Sequence, residues 1–404
     1  MKKFRSTEEA ILSCSARALI AVGSNSSTLD DLLDGPELQS LRRTLSHLLL
    51  GYFKHKKAID DTLNRFISKA PDKETAALLA AALTQAITQQ RMAPEAVVNV
   101  AVDIAKKQRK SGFVNAVLRK SLEALREKPL PISPEEVLPH AVCSRWAEQF
   151  GQETTGQLTE AFLSTPEFTF RLEKHFADSS FDYSEAFTVC EKFPFGKAPA
   201  QVVLNSEEFK SGRLYIQDPA AALAVSLAPE GSFSSILDLC AAPGGKSLML
   251  LEKYPDVVEF TAFDRSKKRQ QLTRRNFDLR GIKHPAVCNK ALIDRKWDMI
   301  FIDAPCTNTG VFRRRPDALW RFSESELAKT AAIQRELLDF AVSHLESRGV
   351  IVYSTCSIEP EEDELQIRDF LARHSGFELL REEKLLPAVN HDGAFAAVMK
   401  LKDR

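Results

Sequence analysis

Hydrophobic positions in the first third of the chain recur at helical spacing. Apolar residues follow one another three or four positions apart over 41–53, 76–87 and 96–105, and the alternation typical of strands is missing. Pro94 stands just before the last of these segments, where the fixed φ of proline suits the first turn of a helix. The pattern predicts an all-helical domain over residues 1–128.

A group of prolines, Pro129, Pro131 and Pro134, ends this helical pattern. Between residues 129 and 210 helical segments are mixed with short strand-like ones at 168–172 and 201–204. We therefore expect a small α+β connector subdomain over 129–210.

From residue 211 onward strand-like and helical patterns alternate, which predicts a buried, mostly parallel sheet with helices on both faces. Apolar runs predict strands at 236–239, 260–263, 299–302 and 350–353, and longer periodic segments predict helices at 266–280, 323–345 and 360–374. Gly281 can end the first of these helices, Ser323 with Glu326 forms a capping box for the second, and Pro360 suits the first turn of the third. The third domain of this multidomain chain is expected over 211–404, with a Rossmann-like α/β fold.

Composition narrows the class of protein. At 404 residues the chain is too long for one core, and no apolar run approaches the ~20 residues that cross a bilayer. The seven cysteines are scattered without zinc spacing, so we expect reduced thiols and no metal site. The amino terminus lacks the continuous apolar stretch of a signal peptide, and a cytoplasmic location is therefore expected.

The formal charge of zero is unevenly divided along the chain. Residues 1–128 contain 21 Lys and Arg against 14 Asp and Glu, which gives +7 there and −7 over the remainder. A positive helical domain can attract a phosphate backbone, although a merely soluble basic face accounts for the same surplus.

A glycine-containing loop stands between the first strand and the following helix of the third domain, in the run Ile236-Leu237-Asp238-Leu239-Cys240-Ala241-Ala242-Pro243-Gly244-Gly245-Lys246-Ser247. Its spacing fits neither the triphosphate-binding nor the dinucleotide-binding glycine motif. Asp264 ends the next strand, 20 residues after Gly244, where a carboxylate can accept both ribose hydroxyls of an adenosine group. These features predict a site for S-adenosylmethionine.

Two cysteines follow later strands of the same sheet. Cys306 lies in Asp303-Ala304-Pro305-Cys306 and Cys356 in Ser354-Thr355-Cys356-Ser357, both at the carboxyl ends of strands, where open α/β sheets place their ligands. Each could act as a nucleophile. A lone cysteine is more often a small buried apolar residue, but two in equivalent positions favour a reaction centre.

The motifs together resemble the RNA cytosine-5 methyltransferases of the Nop/Sun type. The resemblance covers the loop at 240–246, both cysteine motifs, Gly310-Val311-Phe312-Arg313-Arg314-Arg315-Pro316-Asp317 and Gly212-Arg213-Leu214-Tyr215-Ile216-Gln217-Asp218. In the first domain, Val97-Val98-Asn99, the basic turn at 106–110 and Gly112-Phe113-Val114-Asn115 are similar to the NusB-like RNA-binding domain of bacterial ribosomal RNA cytosine methyltransferases.

This resemblance implies a role for each matching position. Cys356 is the nucleophile that adds to carbon 6 of cytosine, Cys306 assists product release, and Asp303 contacts N3 and the exocyclic amine of the base. DNA cytosine-5 methyltransferases instead attack from a cysteine after proline, which would select Cys306. The residues expected to bind the cofactor are Cys240, Ala241, Ala242, Pro243, Gly244, Gly245, Lys246, Asp264, Asn289 and Asp303. The sequence departs from the family at Asn289, where Asp is usual, and at Thr307 and Asn308, where small residues are usual.

The expected partner is small-subunit ribosomal RNA, bound by a monomer without a metal. The cations expected at the RNA are Arg313, Arg314, Arg315, Lys106, Lys107, Arg109 and Lys110, and Asp317 is placed to fix one of the three consecutive arginines. Two alternatives stay open: an RNA-binding assembly factor whose methyltransferase domain is inactive, and the same chemistry on transfer RNA or another ribosomal RNA site. The connector either helps to form an RNA channel or only separates the other domains.

Overall fold

The computed structural model describes residues 4–24, 27–33, 40–88, 92–127, 130–172 and 182–402. The helices, in chain order, are α1 Thr7–Gly23, α2 Leu29–Leu33, α3 Arg42–Asn64, α4 Lys73–Thr88, α5 Pro94–Lys106, α6 Ser111–Glu127, α7 Pro134–Val137, α8 His140–Leu163, α9 Ala200–Asn205, α10 Glu207–Lys210, α11 Leu223–Leu227, α12 Gly245–Lys253, α13 Lys267–Asp278, α14 Asp317–Arg321, α15 Glu324–Ser343 and α16 Glu364–Arg373. The strands are β1 Thr169–Leu172, β2 Ser184–Glu185, β3 Phe195–Lys197, β4 Leu214–Ile216, β5 Ser235–Leu239, β6 Glu259–Phe263, β7 Ala286–Val287, β8 Trp297–Asp303, β9 Leu345–Thr355, β10 Phe377–Leu385 and β11 Ala394–Leu401.

The chain forms two compact units. The first contains residues 1–163 together with 312–321, and the second contains 164–311 and 322–404. The segment predicted as a connector is therefore divided between the units at residue 163, and its predicted boundary at 128/129 lies outside the described residues. The three-domain division stays a prediction.

The first unit is helical, as predicted. Helix α4 contacts α1, α3, α5 and α6, and its residues 77–85 are all buried. A helix that is apolar on every side is stable only when other helices surround it, which explains its central position. Ser6 caps α1 by accepting a hydrogen bond from the Glu9 backbone N–H at 3.1 Å. Pro94 occupies the first turn of α5, as expected.

The second unit contains two sheets. A four-stranded antiparallel sheet has the order β2-β3-β1-β4, and a seven-stranded sheet has the order β10-β11-β9-β8-β5-β6-β7. In the larger sheet the five strands from β9 to β7 are parallel, and β11 and β10 join antiparallel at one edge. The predicted α/β fold and its four strands are confirmed. Because β5 is flanked by β6 and β8, the chain changes direction across the sheet there, and the crevice beyond the carboxyl end of β5 is a ligand position.

Two local predictions were wrong. Residues 201–204 form part of α9 instead of a strand. Alternation would bury Gln201 and Asn205 together with Val203, but both are exposed, and Val203 alone is buried. The predicted helix at 360–374 begins only at Glu364. Pro360 lies in a preceding turn, closed by a hydrogen bond from the Asp363 backbone N–H to its carbonyl at 3.2 Å. By contrast, Ser323 caps α15 through the Glu326 N–H, and Gly281, with φ of 65°, follows α13, as predicted.

Candidate active site

The loop between β5 and α12 makes a tight turn beside β6. Cys240 and Gly244 have positive φ angles of 74° and 101°, and the Ala241 N–H donates to the carbonyl of Phe263 at 2.8 Å. An ideal Cβ on Gly245 would lie 2.7 Å from the Tyr215 ring and 2.8 Å from the Gln217 amide nitrogen. The loop therefore needs a small residue at Gly245, where Tyr215 and Gln217 approach it from the adjoining chain.

Asp264 follows β6 at the same edge of the sheet and is almost fully buried. Its Oδ1 accepts from the Ser266 N–H at 2.8 Å, while Oδ2 has no hydrogen-bond partner within the described chain and lies 3.7 Å from Arg269. A buried carboxylate oxygen that accepts no hydrogen bond is unfavourable, because a cation at 3.7 Å compensates only part of its desolvation. The residue thus fits a ligand that brings hydroxyl donors, such as the ribose of a nucleoside.

The Asp238 side chain is fully buried beside the loop. Its Oδ2 accepts a hydrogen bond from the Ser247 hydroxyl, and burial raises the pKa of the carboxyl to about 7. Burial, together with the charges of Asp264 and Asp303, also raises the pKa of the Cys240 thiol to about 12. Cys240 is therefore protonated at neutral pH and is a poor nucleophile.

Asn289 follows the short edge strand β7 and is exposed. Its Oδ1 accepts from the Ala291 backbone N–H at 3.1 Å and caps a short 3₁₀ turn. The side chain amide N–H groups remain the only donors it can offer to a base. Its predicted adenine contact stays a prediction.

Lys246 joins the cofactor loop to the end of β8. Its ammonium contacts the Asp303 carboxylate and lies 3.1 Å from Ser354 Oγ at the end of β9. Burial lowers the pKa of Lys246, but the charge and hydrogen bond of Asp303 outweigh this effect, and the pKa is raised above its ordinary value. A protonated ammonium is thereby fixed between the ends of three neighbouring strands.

Cys306 and Cys356 meet at this edge, with their sulfur atoms 3.1 Å apart. All seven cysteines are free, so the two sulfurs are in hydrogen-bonding contact and not bonded. The hydrogen bond with Cys356 is the largest cause that raises the pKa of Cys306 well above its ordinary value, and burial adds to it. Cys306 therefore retains its proton, and either sulfur can be the donor in the contact with Cys356.

Asn308 bridges the two cysteines, a role that the sequence did not indicate. Its side-chain amide donates to the carbonyl of Cys306 at 2.9 Å, and its Oδ1 lies 3.3 Å from Cys356 Sγ. Its φ of 62° is in the left-handed region, which asparagine tolerates better than most residues. The only signal in the sequence was its departure from the family pattern.

Glu362 is a second residue that sequence reasoning missed. This fully buried carboxylate accepts from the Thr307 backbone N–H at 2.9 Å, from Thr307 Oγ1 at 2.6 Å and from Gln334 at 3.1 Å. Burial raises its pKa despite these hydrogen bonds. Glu362 thus holds the loop that carries Cys306 against the segment that follows Cys356.

The cations predicted to bind RNA differ in their surroundings. Arg314 and Arg315 are exposed, but Arg313 is only 1% exposed, so its predicted position facing an RNA backbone does not agree with the structure. Phe312, beside it in the chain, packs against Trp146 and Phe162, which places this turn inside the first unit. Asp317, expected to fix one of these arginines, forms an ion pair with Arg321 at 3.1 Å.

In the basic turn, three of four cations have carboxylate partners. Lys106 pairs with Asp103, Lys107 with Glu9 and Lys110 with Asp72, and Arg109 is exposed with a φ of 57°. These pairs reduce the positive charge that the turn offers to a phosphate backbone. Its contact with RNA stays a prediction.

Within the described residues, no helix is long and apolar enough to span a membrane, and no three His, Cys, Asp or Glu side chains are grouped so that they could hold a metal ion.

The seven-stranded sheet, the glycine-containing loop after β5 and Asp264 after β6 define a Rossmann-like methyltransferase that uses S-adenosylmethionine. Residues 224–397 match the sequence model of the family described as 16S rRNA methyltransferase RsmB/F, and residues 12–123 match that of the NusB family. The carboxyl-terminal part of the chain is therefore similar to the RsmB/F family of ribosomal RNA methyltransferases, and the amino-terminal part to the NusB family.

Individual relatives agree with this assignment. The chain is 28% identical over 388 residues to a "Probable ribosomal RNA small subunit methyltransferase B" of Bacillus subtilis, covering 89% of this chain and 87% of that protein. It is 38% identical over 186 residues to ribosomal RNA small subunit methyltransferase B of Vibrio cholerae, covering 44% and 42% of the two chains. The solved structure of a protein named PH0851 has a TM-score of 0.75 at 22% identity, covers 98% of this chain and 100% of that one, and supports the fold.

Proposed function

We propose that this chain methylates carbon 5 of a cytosine in small-subunit ribosomal RNA, with Cys356 as the covalent nucleophile. The observation that carries the proposal is the contact between Cys306 and Cys356 beside Lys246 and Asp303. Carbon 5 of cytosine is too weak a nucleophile to take a methyl group directly, so a thiolate must first add to carbon 6. Two thiols at the same edge of the sheet are suited to the two steps of the reaction, addition to the base and release of the product.

In the addition step, we assign the attack on the base to the sulfur of Cys356. Its thiolate forms a bond to carbon 6, and the electron pair of the 5,6 double bond makes carbon 5 nucleophilic. The Asp303 carboxylate accepts a hydrogen bond from the exocyclic amine of the base and from N3 when N3 carries a proton. S-adenosylmethionine, when bound, supplies the methyl group that carbon 5 takes up. In the reactive form that we assign, Cys306 is the donor of the sulfur–sulfur hydrogen bond, and this proton and the nearby charge of Lys246 both favour the thiolate form of Cys356.

In the release step, we assign Cys306 as the base that removes the proton of carbon 5. Once Cys356 is a thioether, its sulfur no longer accepts the Cys306 proton as a thiolate does, so the hydrogen bond that is the largest cause of the raised pKa of Cys306 is lost. Cys306 then releases its proton to solvent more readily, and the resulting thiolate can accept the proton of carbon 5. The electron pair of that C–H bond restores the 5,6 double bond, and the bond between carbon 6 and the Cys356 sulfur breaks.

The residues of the loop fit the cofactor without any pyrophosphate contact. Residues 240–246 lie where they can contact the methionine part, and the unpartnered Asp264 Oδ2 can accept from the ribose hydroxyls. We assign Asp303 both to the residues that bind the cofactor and to those that contact the target base, since it lies beside Lys246 and at the end of β8.

Transfer of tritium from labelled S-adenosylmethionine to small-subunit rRNA tests the proposal. We expect Cys356→Ala to lower transfer by more than about a thousandfold, because the nucleophile is lost, while its affinity for the cofactor stays near that of the wild type. Cys306→Ala should accumulate a protein–RNA complex that survives denaturing electrophoresis. Cys190→Ala, which removes a thiol elsewhere in the second unit, is the matched control and should turn over normally.

Three outcomes would contradict the proposal. Normal turnover by Cys306→Ala would remove that thiol from the release step, and a covalent complex formed by Cys356→Ala would assign the attack to Cys306. Absence of transfer to any RNA would favour an assembly factor with an inactive domain. Bisulfite sequencing of RNA from a deletion strain distinguishes small-subunit rRNA from transfer RNA or another ribosomal site. A cytoplasmic location and a monomeric state remain predictions.

A further inference from the structure

One segment of the second unit carries concentrated positive charge. Residues 265–290 contain nine Lys and Arg and a single acidic residue, Asp278. The whole second unit contains 29 Lys and Arg against 35 Asp and Glu. A segment of charge +8 thus stands in a unit of charge −6. A local reversal of this size concentrates the electrostatic field on one surface.

Helix α13, Lys267–Asp278, lies within this segment and divides into two faces. The buried positions are Gln270, Thr273 and Phe277, at the spacing of one helix side. The basic residues that are exposed on or just before the helix are Arg265, Lys267, Lys268, Arg269, Arg274 and Arg275. Because the apolar contacts use only one side of α13, its cations face solvent.

These charges have little compensation. In the part of the chain that the structure describes, no ion pair joins Arg265, Lys267, Lys268 or Arg275 to a carboxylate. Arg274 donates to the carbonyl of Ala286 at 2.9 Å, which satisfies an N–H group without cancelling the charge. The basic turn at 106–110 differs, since three of its cations are paired.

The helix is attached directly to the cofactor loop. Arg269 donates to the carbonyl of Ala242 at 2.6 Å, and the Asn276 amide donates to the carbonyl of Pro243 at 2.9 Å. The Arg269 guanidinium also lies 3.7 Å from Asp264. The charged face therefore stands beside the loop expected to hold the methyl donor, and a polyanion held there lies close to the reaction centre.

We propose that the exposed face of α13 is an RNA-binding surface that holds backbone phosphates near the target cytosine. Lys267 and Arg275 are about 12 Å apart along the helix axis, enough to contact more than one phosphate. Backbone contacts of this kind position the RNA without reading its sequence. The inference deepens the proposed function and rests on it for the choice of RNA as the polyanion.

The test compares two triple variants of the full chain in fluorescence anisotropy with a labelled 20-nucleotide single-stranded RNA. The first neutralises α13, with Lys267→Gln, Lys268→Gln and Arg275→Gln. The matched control removes the same charge from other surfaces of the unit, with Lys192→Gln, Lys210→Gln and Lys329→Gln. We expect the α13 variant to bind about tenfold or more weakly, with the slope of log affinity against log salt reduced by about two, whereas the control should change by less than about threefold.

Two further measurements keep the result decisive. Circular dichroism and calorimetric titration with S-adenosylmethionine should be unchanged in both triple variants, since the replaced side chains are exposed. The variant Lys267→Arg, Lys268→Arg, Arg275→Lys retains the charge and should bind RNA like the wild type. Equal affinity of the α13 variant and the wild type, or equal losses in both triple variants, would overturn the inference and leave methyl transfer untouched. Conversely, RNA binding that depends on α13 in a chain without methyl transfer would refute the proposed function alone.

Discussion

At the scale of single residues, the close approach of the two cysteines depends on a position without a side chain. The Gly310 N–H donates to the carbonyl of Cys356 at 2.9 Å, and an ideal Cβ on Gly310 would lie 2.6 Å from that oxygen and 3.0 Å from the carbonyl of Gly393. Because both contacts are with backbone atoms, a rotamer change cannot relieve the collision. Gly310 therefore fixes the position of Cys356.

Gly310→Ala should displace Cys356 and lower methyl transfer by at least about tenfold. Affinity for S-adenosylmethionine should change little, since the cofactor loop follows a different strand. Initial rates of tritium transfer and calorimetric titration measure the two effects separately. Gly156→Ala, whose added Cβ has no atom within 4 Å, is the control. Unchanged transfer by Gly310→Ala would show that the carbonyl of Cys356 does not constrain the sulfur.

Asp238 should make the stability of the second unit depend on pH. Burial raises the pKa of this carboxyl from 3.8 to about 7, so between these values the folded state binds a proton that the unfolded state has released. Stability therefore falls as the pH rises through this window. Relative to Asp238→Asn, the wild type should lose roughly 2–3 kcal/mol between pH 5 and pH 8, measured by urea unfolding. Parallel stability curves for the two proteins would refute this assignment.

At the scale of elements, the turn at 312–321 completes the helical first unit from a distant part of the chain. Phe312 is fully buried, with ring centroids 5.4 Å from Trp146 and 5.9 Å from Phe162. The Trp320 indole donates to the carbonyl of Phe53 at 2.7 Å. The turn is therefore a packing element, which explains why Arg313 is buried.

Phe312→Ala should lower the free energy of unfolding by about 3–5 kcal/mol, because a buried aromatic ring is replaced by a cavity. Urea unfolding followed by tryptophan fluorescence measures this loss, since Trp146 lies beside the cavity. Ile132→Ala, at a residue that is 79% exposed, should change the free energy by less than about 0.5 kcal/mol. Equal stability of Phe312→Ala and the wild type would contradict the packing role.

At the scale of the whole molecule, the two units are not continuous in sequence. Cutting the chain after residue 163 would separate residues 1–163 from the segment 312–321, which belongs to the same unit. In a fragment that begins at residue 164, the buried side chains of Phe312 and Leu319 would lose their surroundings. Each half of the chain would then expose apolar surface.

Residues 1–163, produced alone, should therefore unfold at a lower temperature than with an added peptide of residues 312–321. The expected rise is several degrees, because the peptide restores the contacts of Phe312 and Trp320. Differential scanning calorimetry at increasing peptide concentration measures the shift, and a peptide with Phe312→Ala is the control. A melting temperature that does not depend on the peptide would show that the first unit is complete without it.

The order and type of the main elements, the cofactor loop and Asp264 follow from the sequence alone. Helical periodicity, strand-length apolar runs and glycine spacing express contacts between near neighbours, so they can be read from a single chain. The same local information predicted that Cys306 and Cys356 end two strands of one sheet. It could not predict their 3.1 Å separation, nor that Asn308 and Glu362 hold them.

Only the tertiary structure decided which charges are paired or buried. Glu9 and Lys107 are far apart in sequence, as are Asp72 and Lys110, so no periodic pattern announces these ion pairs. The burial of Phe312, the neighbour of Arg313 in the chain, depends on Trp146 and Phe162, which another helix supplies. Local spacing determined the elements and the residues available for chemistry, whereas packing between distant segments determined which of those residues meet.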